Sequence, residues 1–202
     1  MRLVYRKGMA DSYEIIVSDG NLRLRAMRDH EDDYARVVAW RNQPHVRQWW
    51  DPDDPPMTMQ MAMAECRPCL AGIEPDHLAF IEIEELPVGF VQYYPWAPYA
   101  GELAGMGLAV REGSWSLDIY VGEPDWVNCG IGSRTVRMLC DFLFLHEGAS
   151  EVAFGVDREN ARARRAYEKA GMTPTVEYLD TDTRDGERVW SVLMVRSPGD
   201  ST

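Results

Sequence analysis

The chain has 202 residues, with 21 lysines and arginines against 33 aspartates and glutamates, so its formal net charge is −12. That length suits one domain that buries a core without disulfide or metal staples. Its apolar runs are far shorter than the roughly 20 residues of a membrane-spanning helix. The amino-terminal segment lacks the apolar region and cleavage site of a secretory signal. The sequence therefore predicts a soluble cytoplasmic domain.

The acidity of the chain bears on its partners. Nucleic acids and anionic membranes bind basic patches, so neither is an expected partner. A cationic small molecule is favoured, although solubility alone is the simpler explanation of the charge. Cys66 and Cys69 have the spacing of a metal-binding pair, but no second pair or histidine cluster accompanies them. We expect these two, with Cys129 and Cys140, to be reduced thiols, and we expect no metal site.

The predicted elements follow the order β-α-α-α-β-β-β-α-β-α-β-β, which indicates a single α/β (mixed α+β) domain. Its mixed, mostly antiparallel central sheet carries helices on both faces. Strands are expected over 22–27, 79–84, 88–94, 115–121, 151–157, 174–180 and 188–196. Helices are expected from the N-cap Asp29 to Trp40 and over 45–50, 58–70 (with a kink or end near Pro68), 130–146 and 160–170.

The remaining segments connect or flank these elements. Residues 1–20 form an extension, either an extra edge strand or a loose arm, the domain spans 21–197, and 198–202 is a tail. The stretch 95–113 is rich in Gly, Pro and Ala and is predicted to be a long loop, which often serves function. Gly148 is the expected C-cap of the fourth helix, and a hairpin turn is expected at residues 184–186.

Two short motifs carry the chemistry. Gly130-Ile131-Gly132 follows a strand and opens a helix, where backbone N–H groups and the helix dipole favour an anion such as a pyrophosphate. Asn160, Ala163 and Tyr167 then share one face of the next predicted helix, as suits a helix along which an extended ligand lies. Taken separately, the glycines are turn residues, and the second set is an N-cap, a packing residue and a half-buried aromatic.

Together these motifs resemble the acetyl-CoA-binding core of the GNAT superfamily of N-acyltransferases, whose phosphate loop reads Gln/Arg-x-x-Gly-x-Gly/Ala and whose later helix reads Asn-x-x-Ala-x-x-x-Tyr. Val127 stands at the first position of the loop and removes one side-chain contact. Because backbone N–H groups do most of the phosphate binding, we expect affinity for CoA to survive. The resemblance implies acetyl-CoA as co-substrate, bound by Val127, Asn128, Cys129, Gly130, Ile131, Gly132, Ser133, Asn160 and Ala163, without a metal.

The resemblance can be narrowed. Over about 22–196 the chain looks like aminoglycoside 6′-N-acetyltransferases, in which a short helix ends in a Trp-Trp pair before an acidic loop, here at residues 49–54. It implies acetylation of an aminoglycoside 6′-amine, and hence antibiotic resistance, by a monomer or homodimer. Siderophore-type lysine N-acyltransferases share parts of the outline. Acylation of a lysine-derived amine or a protein N-terminus therefore stays open, as does a non-catalytic binding module.

Acyl transfer to an amine needs a group that takes the ammonium proton and a donor for the departing thiolate. Asp118, in the middle of a predicted strand where Asp is rare, corresponds to the carboxylate that the aminoglycoside family uses as a base. Tyr167 is the candidate acid from the superfamily motif. Asp157 matches a position that holds another substrate amine in that family, although it could equally cap the turn after its strand.

Other predicted contacts belong to the acceptor. Trp49 and Trp50 offer apolar faces for sugar rings or pack in the core, and Gln92 matches a position that lines the family's substrate cleft. Further charges are predicted near the ligands: the acidic residues Asp51, Asp53, Asp54 and Glu102, and the basic residues Arg158, Arg162, Arg164 and Arg165. The basic run either meets the CoA phosphates or forms a solvated helix face.

Overall fold

The computed structural model describes residues 14–109 and 111–200. Its strands are β1 (Ile15–Asp19), β2 (Leu22–Ala26), β3 (His77–Ile83), β4 (Leu86–Pro95), β5 (Ser114–Val121), β6 (Glu151–Asp157), β7 (Thr173–Arg184) and β8 (Glu187–Arg196). Its α-helices are α1 (Glu31–Arg41), α2 (Pro44–Arg47), α3 (Met59–Leu70), α4 (Ala100–Gly105), α5 (Ile131–Phe142) and α6 (Ala161–Lys169). The strands form one sheet in the order β1-β2-β3-β4-β5-β6-β8-β7. Among the described strands, only β5 and β6 pair in parallel, which confirms the mixed, mostly antiparallel sheet.

Helices cover both faces of this sheet because successive strand residues point to opposite sides. In β4, Phe90 belongs to the core under α1 and α3, with Trp40. Its neighbour Val91 belongs to the larger core under α5, with Leu139. The predicted arrangement of helices on both faces is therefore confirmed. Among the described residues, no helix is both long enough and apolar enough to cross a bilayer.

The extension contributes an edge strand. β1 pairs with β2 in antiparallel fashion, and Val17 is buried in the core under α5. Of the two possibilities for residues 1–20, the extra strand is therefore correct for Ile15–Asp19, whereas residues 1–13 lie outside the described part of the chain. At the other end, residues 201–202 of the predicted tail also lie outside it.

Two predicted helix starts were wrong by one residue. His30, not Asp29, is the N-cap of α1, and its Nδ1 accepts a hydrogen bond from the backbone N–H of Asp32. The Asp29 carboxylate instead accepts a hydrogen bond from the Tyr34 hydroxyl. α2 begins at Pro44, whose fixed φ suits a first helical position, and it ends at Arg47. α3 ends at Leu70, which confirms the predicted end near Pro68.

The prediction of one long loop over 95–113 was wrong. A 3₁₀ turn at Ala97–Tyr99 leads directly into α4, and Leu103 of α4 is buried against the sheet beside Tyr178. Burial of this leucine stabilises the short helix. The predicted helix over 130–146 divides into α5 and a π-helical turn, Leu143–Glu147, which Gly148 ends as predicted with a φ of 67°.

The last two strands are longer than predicted and form a hairpin whose turn contacts Asp53 in the acidic loop after α2. The turn residues Asp185 and Gly186 have φ values of 54° and 75°. Two consecutive positive φ values are typical of a tight hairpin turn whose twist matches that of the strands. The predicted turn at residues 184–186 is confirmed.

Candidate active site

A cleft of about 900 Å³ opens where β5 and β6 separate. The two strands pair only at Ser114 with Glu151 and at Trp115 with Val152, and they diverge beyond these residues. The diverging strands leave backbone groups without a neighbouring strand on the cleft side. Such groups can bind the carbonyl or amide groups of an extended ligand.

Buried polar contacts fix the point at which the strands part. The Ser114 hydroxyl donates to Oε1 of Glu151 over 2.7 Å, and the backbone N–H of Arg111 donates to the same oxygen over 2.9 Å. Farther along, the Trp96 indole N–H donates to the Ala153 carbonyl of β6 over 2.6 Å. The divergence is therefore built into the fold.

The phosphate-loop residues lie at one end of the cleft. Val127, Asn128, Gly130, Ile131, Gly132 and Ser133 all line it. Asn128 and Gly130 adopt left-handed φ values of 66° and 78°, and within the described chain no side chain caps the start of α5. This end of the helix can therefore offer backbone N–H groups to an anion. Cys129 is the exception: it does not line the cleft, and its thiol points to the Asp125 carbonyl, 3.5 Å away.

The second motif forms the adjoining wall. Oδ1 of Asn160 accepts a hydrogen bond from the N–H of Ala163 over 3.1 Å, so Asn160 is the N-cap of α6 as well as a cleft residue. The Tyr167 ring packs edge-on against Phe154, with ring centroids 4.9 Å apart. Burial raises the pKa of Tyr167, and the nearby charge of Asp118 raises it further. Tyr167 is therefore a protonated phenol at neutral pH.

Asp118 lies half-buried at the floor of the cleft. It is the cross-strand partner of Gln92, whose Nε2 donates to Oδ2 of Asp118 over 2.9 Å. The Tyr94 hydroxyl donates to the same oxygen over 3.3 Å. Burial raises the pKa of Asp118, while these two hydrogen bonds oppose the rise. Gln92 is thus brought together with the candidate base.

The tryptophan pair divides between packing and the cleft. Trp50 packs edge-on against Tyr120 at 4.9 Å, and the Arg41 guanidinium lies 5.1 Å from its ring centroid. Trp49 contacts the opposite wall, where the Arg184 guanidinium lies 4.9 Å from its ring centroid. Both rings are half-buried and line the cleft. The two tryptophans thus pack against neighbouring side chains and also present ring surface to the cleft, the two roles that the sequence left open.

Asp157 also lines the cleft but is already engaged. Its Oδ1 accepts a hydrogen bond from the backbone N–H of Glu159 over 2.7 Å, which is the turn-capping role. Its Oδ2 forms an ion pair with Arg184. Arg184 thus occupies two of the predicted acceptor contacts, Trp49 and Asp157. Nothing in the sequence indicated that the hairpin would reach them.

The two ends of the cleft differ in charge. Its acidic lining residues are Asp51, Asp53, Asp54, Glu65, Asp76, Glu102, Asp118, Asp157, Asp180 and Asp182. The crowding is strong enough that burial and the charge of Asp180 raise the pKa of Asp182 to about 6. On the α6 wall, Arg162, Arg165 and Lys169 line the cleft. Arg158 and Arg164 of the predicted basic run do not. One end therefore favours a cation and the other an anion.

Sequence reasoning missed an aromatic wall formed by Tyr94, Trp96 and Tyr99. Their rings pack edge-on, with Tyr94 5.5 Å from Trp96 and 5.1 Å from Tyr99. The Tyr99 hydroxyl donates to Oδ2 of Asp76 over 2.6 Å. Strand alternation from Gln92 could have identified Tyr94, two residues later on the same face. No local signal joins Asp76 to Tyr99. Across the described ranges, no group of three or more potential metal ligands lies together.

Comparison with known proteins agrees with this geometry. The chain is 25% identical over 197 residues to an aminoglycoside N(6′)-acetyltransferase type 1 of Serratia marcescens, covering 93% of this chain and 90% of the relative. It is 25% identical over 190 residues to the enzyme of the same name from Klebsiella pneumoniae, covering 89% and 87% of the two chains.

Among solved structures, AAC(6′)-Ib in complex with ribostamycin and coenzyme A superimposes with a TM-score of 0.74 at 22% identity, covering 90% of this chain and 96% of that one. Spermidine N-acetyltransferase from Vibrio cholerae, with CoA and spermine, gives a TM-score of 0.70 at 14% identity, covering 89% and 97%. The family model of the acetyltransferase (GNAT) domain matches residues 29–178. This chain belongs to the GNAT acetyltransferase family.

Proposed function

We propose that this protein transfers the acetyl group of acetyl-CoA to a primary amine of an aminoglycoside, the 6′-amine, and thereby confers antibiotic resistance. One observation carries the proposal: a half-buried carboxylate, Asp118, lines the same cleft as the phosphate-loop residues and has the carboxylates of Asp51 and Asp76 near enough to affect its pKa. The named relatives from Serratia marcescens and Klebsiella pneumoniae support an aminoglycoside as the acceptor.

The chain's residues divide the reaction between them. Asp118 accepts a proton from the acceptor's ammonium, whose pKa is ordinarily about 10, and so frees the lone pair on nitrogen. Attack on the thioester carbonyl forms the C–N bond, and the C–S bond then breaks. Tyr167 donates its phenolic proton to the departing thiolate. The second proton, which the nitrogen loses as the amide forms, restores the Tyr167 phenol through solvent. The reaction proceeds by direct attack in a ternary complex, and no covalent intermediate on the protein is needed.

Acceptor binding draws on the acidic end of the cleft. Trp49 and Trp50 supply ring faces for sugars, Gln92 holds Asp118, and Asp157 supplies a second carboxylate. The backbone around Gly130 and the side chains at the start of α6 receive the phosphates of acetyl-CoA. We further expect the domain to work in the cytoplasm, where acetyl-CoA is available, as a monomer or homodimer.

The test is release of CoA thiol from acetyl-CoA over a panel of amines. The panel contains kanamycin, tobramycin, a gentamicin component without a primary 6′-amine, a lysine derivative and a short peptide. We expect rapid release with kanamycin and tobramycin and none with the gentamicin component, because only the first two present the amine to be acetylated.

Two other outcomes would replace the proposal. Release only with the lysine derivative or the peptide would keep the acetyltransferase and change its acceptor. No release with any amine, together with quenching of tryptophan fluorescence by acetyl-CoA, would identify a non-catalytic binding module.

A further inference from the structure

The tip of the β7–β8 hairpin places a cation inside the acidic end of the cleft. Nη2 of Arg184 forms an ion pair with Oδ2 of Asp157, and its Nη1 lies 3.1 Å from Oε2 of Glu159. The same guanidinium lies 4.9 Å from the ring centroid of Trp49. The Arg184 side chain is only 27% exposed, so these contacts take it largely out of water.

Asp157 and Trp49 line the cleft, whereas Glu159 does not and is 70% exposed. A carboxylate and the face of a tryptophan are the groups that recognise a substituted ammonium as readily as a guanidinium. A second ammonium of an acceptor at this end of the cleft would therefore bind the same carboxylate and tryptophan that Arg184 already contacts. One carboxylate, Asp157, is largely buried at 14% side-chain exposure, so its pairing is not that of a loose surface charge.

The position of Arg184 does not depend on its own side chain. The carboxylate of Asp53 accepts hydrogen bonds from the Thr183 hydroxyl and the Asp185 N–H, both over 2.8 Å, and from the Gly186 N–H over 3.0 Å. The acidic loop thus holds the turn on both sides of Arg184. Loss of the guanidinium should leave the hairpin in place.

We infer that Arg184 is an internal competitor for the acceptor's second ammonium, and that it sets how strongly the cleft discriminates between acceptors by their number of charges. This inference rests on the proposed function only in taking a polyamine as acceptor. An acceptor that places an ammonium beside Trp49 and Asp157 binds by displacing the guanidinium, whereas an acceptor with a single amine leaves it in place.

The experiment compares Arg184→Gln with the unchanged chain on tobramycin and on 6-amino-6-deoxyglucose, which carries one amine. We expect the KM for tobramycin to fall by roughly tenfold, because the acceptor no longer has to break the charge-assisted contact between Arg184 and Asp157. The KM for the monoamine should stay at the wild-type value. Arg184→Lys keeps the charge and should keep a KM for tobramycin near that of the wild type.

Arg188→Gln is the matched control. Arg188 lies on the same hairpin but donates to the backbone carbonyls of Leu179 and Asp180 and does not line the cleft. Its replacement should leave both KM values unchanged. Melting temperatures of all variants report whether the hairpin has kept its fold.

Two results would overturn the inference. An unchanged KM for tobramycin in Arg184→Gln would show that the guanidinium does not compete, and a raised KM would show that it helps to bind the acceptor. If the wild-type protein releases no thiol with any amine, the proposed function fails. Calorimetric titration of tobramycin into the wild type and Arg184→Gln then tests the competition by itself.

Discussion

At the scale of single residues, Asp118 has an environment in which burial and hydrogen bonding act in opposite directions. Burial alone favours the protonated acid, which cannot act as a base. The donors from Gln92 and Tyr94 favour the carboxylate, and both reach Oδ2. Within the described chain, no other side chain donates to Asp118, so Oδ1 is the oxygen available to an ammonium proton.

Asp118→Asn should lower turnover by roughly 10²- to 10⁴-fold, since a positioned base contributes about that much. Binding of acetyl-CoA should stay near the wild-type value, because the phosphate loop is untouched. Calorimetry for binding and thiol release for turnover separate the two effects. Asp125→Asn, at an exposed carboxylate outside the cleft, is the control. Unchanged turnover in Asp118→Asn would remove this residue from the mechanism.

Tyr94→Phe should move the acidic limb of the kcat profile to higher pH. Loss of the hydroxyl removes a donor that favours the carboxylate, so the pKa of Asp118, already raised by burial, rises further and the base is lost at a higher pH. The other groups that act on this carboxylate are unchanged in the variant: Gln92, Asp51, Asp76, Tyr167 and Asp182.

Tyr99→Phe is a matched control for this shift. It removes a hydroxyl from the same aromatic wall, but that hydroxyl donates to Asp76 rather than to Asp118. The acidic limb of the kcat profile of Tyr99→Phe should lie at the same pH as in the wild type. Equal shifts in the two variants would mean that the wall acts on Asp118 through packing and not through the Tyr94 hydrogen bond.

Tyr167→Phe should lower kcat by roughly 10- to 10⁴-fold if the phenol protonates the thiolate. Phenylalanine keeps the ring that packs edge-on against Phe154, so the fold should survive. Rapid-quench measurement of the first turnover isolates the chemical step. A wild-type rate would mean that water supplies the proton instead.

At the scale of elements, local patterns predicted most of the fold. β5 shows alternating apolar and polar residues, and α6 has Asn160, Ala163 and Tyr167 on one face. Each pattern spans only a few residues, and both elements lie where the sequence predicted them. α4 escaped prediction because its six residues carry no helical period, and burial of Leu103 against β6 and β8 stabilises it. The N-cap shifted to His30 because Asp29 had a competing partner, Tyr34.

A buried ion network joins β2, β3 and α1. The Arg25 guanidinium lies between Asp33 at 2.9 Å and Glu82 at 2.8 Å, and all three side chains are at most 3% exposed. Burial by itself raises the pKa of Asp33, but the hydrogen bonds from Arg28 and Arg25 outweigh it and lower the pKa below its ordinary value of 3.8. The ionised Asp33 therefore stabilises the folded protein above about pH 4, and this contribution is lost as the pH falls through the lowered pKa of Asp33.

Asp33→Asn should reduce the free energy of unfolding by about 3 kcal/mol, because it leaves Arg25 buried with one partner fewer. Urea unfolding at neutral pH measures the loss. The neighbouring Asp32→Asn removes a carboxylate that is 80% exposed and should change stability little. Equal losses in the two variants would contradict a special role for the buried network.

At the scale of the whole molecule, the cleft gathers residues from distant parts of the chain. The donor end was predictable because it comes from 127–167, where motifs are short and local. The acceptor end combines the acidic loop after α2, the aromatic wall at the end of β4 and just beyond it, and the β7–β8 hairpin. Their meeting depends on tertiary contacts such as that between Arg184 and Asp157, for which a single sequence carries no signal.

The distribution of charge predicts that salt weakens the binding of a polycationic acceptor more than that of a monoamine. Raising ionic strength from 25 to 250 mM should raise the KM for tobramycin by roughly threefold or more, because salt screens the attraction between a polycation and the acidic end. The KM for 6-amino-6-deoxyglucose should rise less. A KM for tobramycin that is independent of salt would show that the chain's net charge of −12 serves solubility alone.

The hydrogen bonds from the hairpin turn to Asp53 join parts of the chain 130 to 133 residues apart. Contacts at such separation cost loop-closure entropy before they form. These three hydrogen bonds are also exposed to solvent, as in the segments of a protein that open most readily. The donor end, by contrast, is assembled from neighbouring segments. A newly folding chain should therefore bind acetyl-CoA before its acceptor end is complete, and selectivity among acceptors is the last property that it acquires.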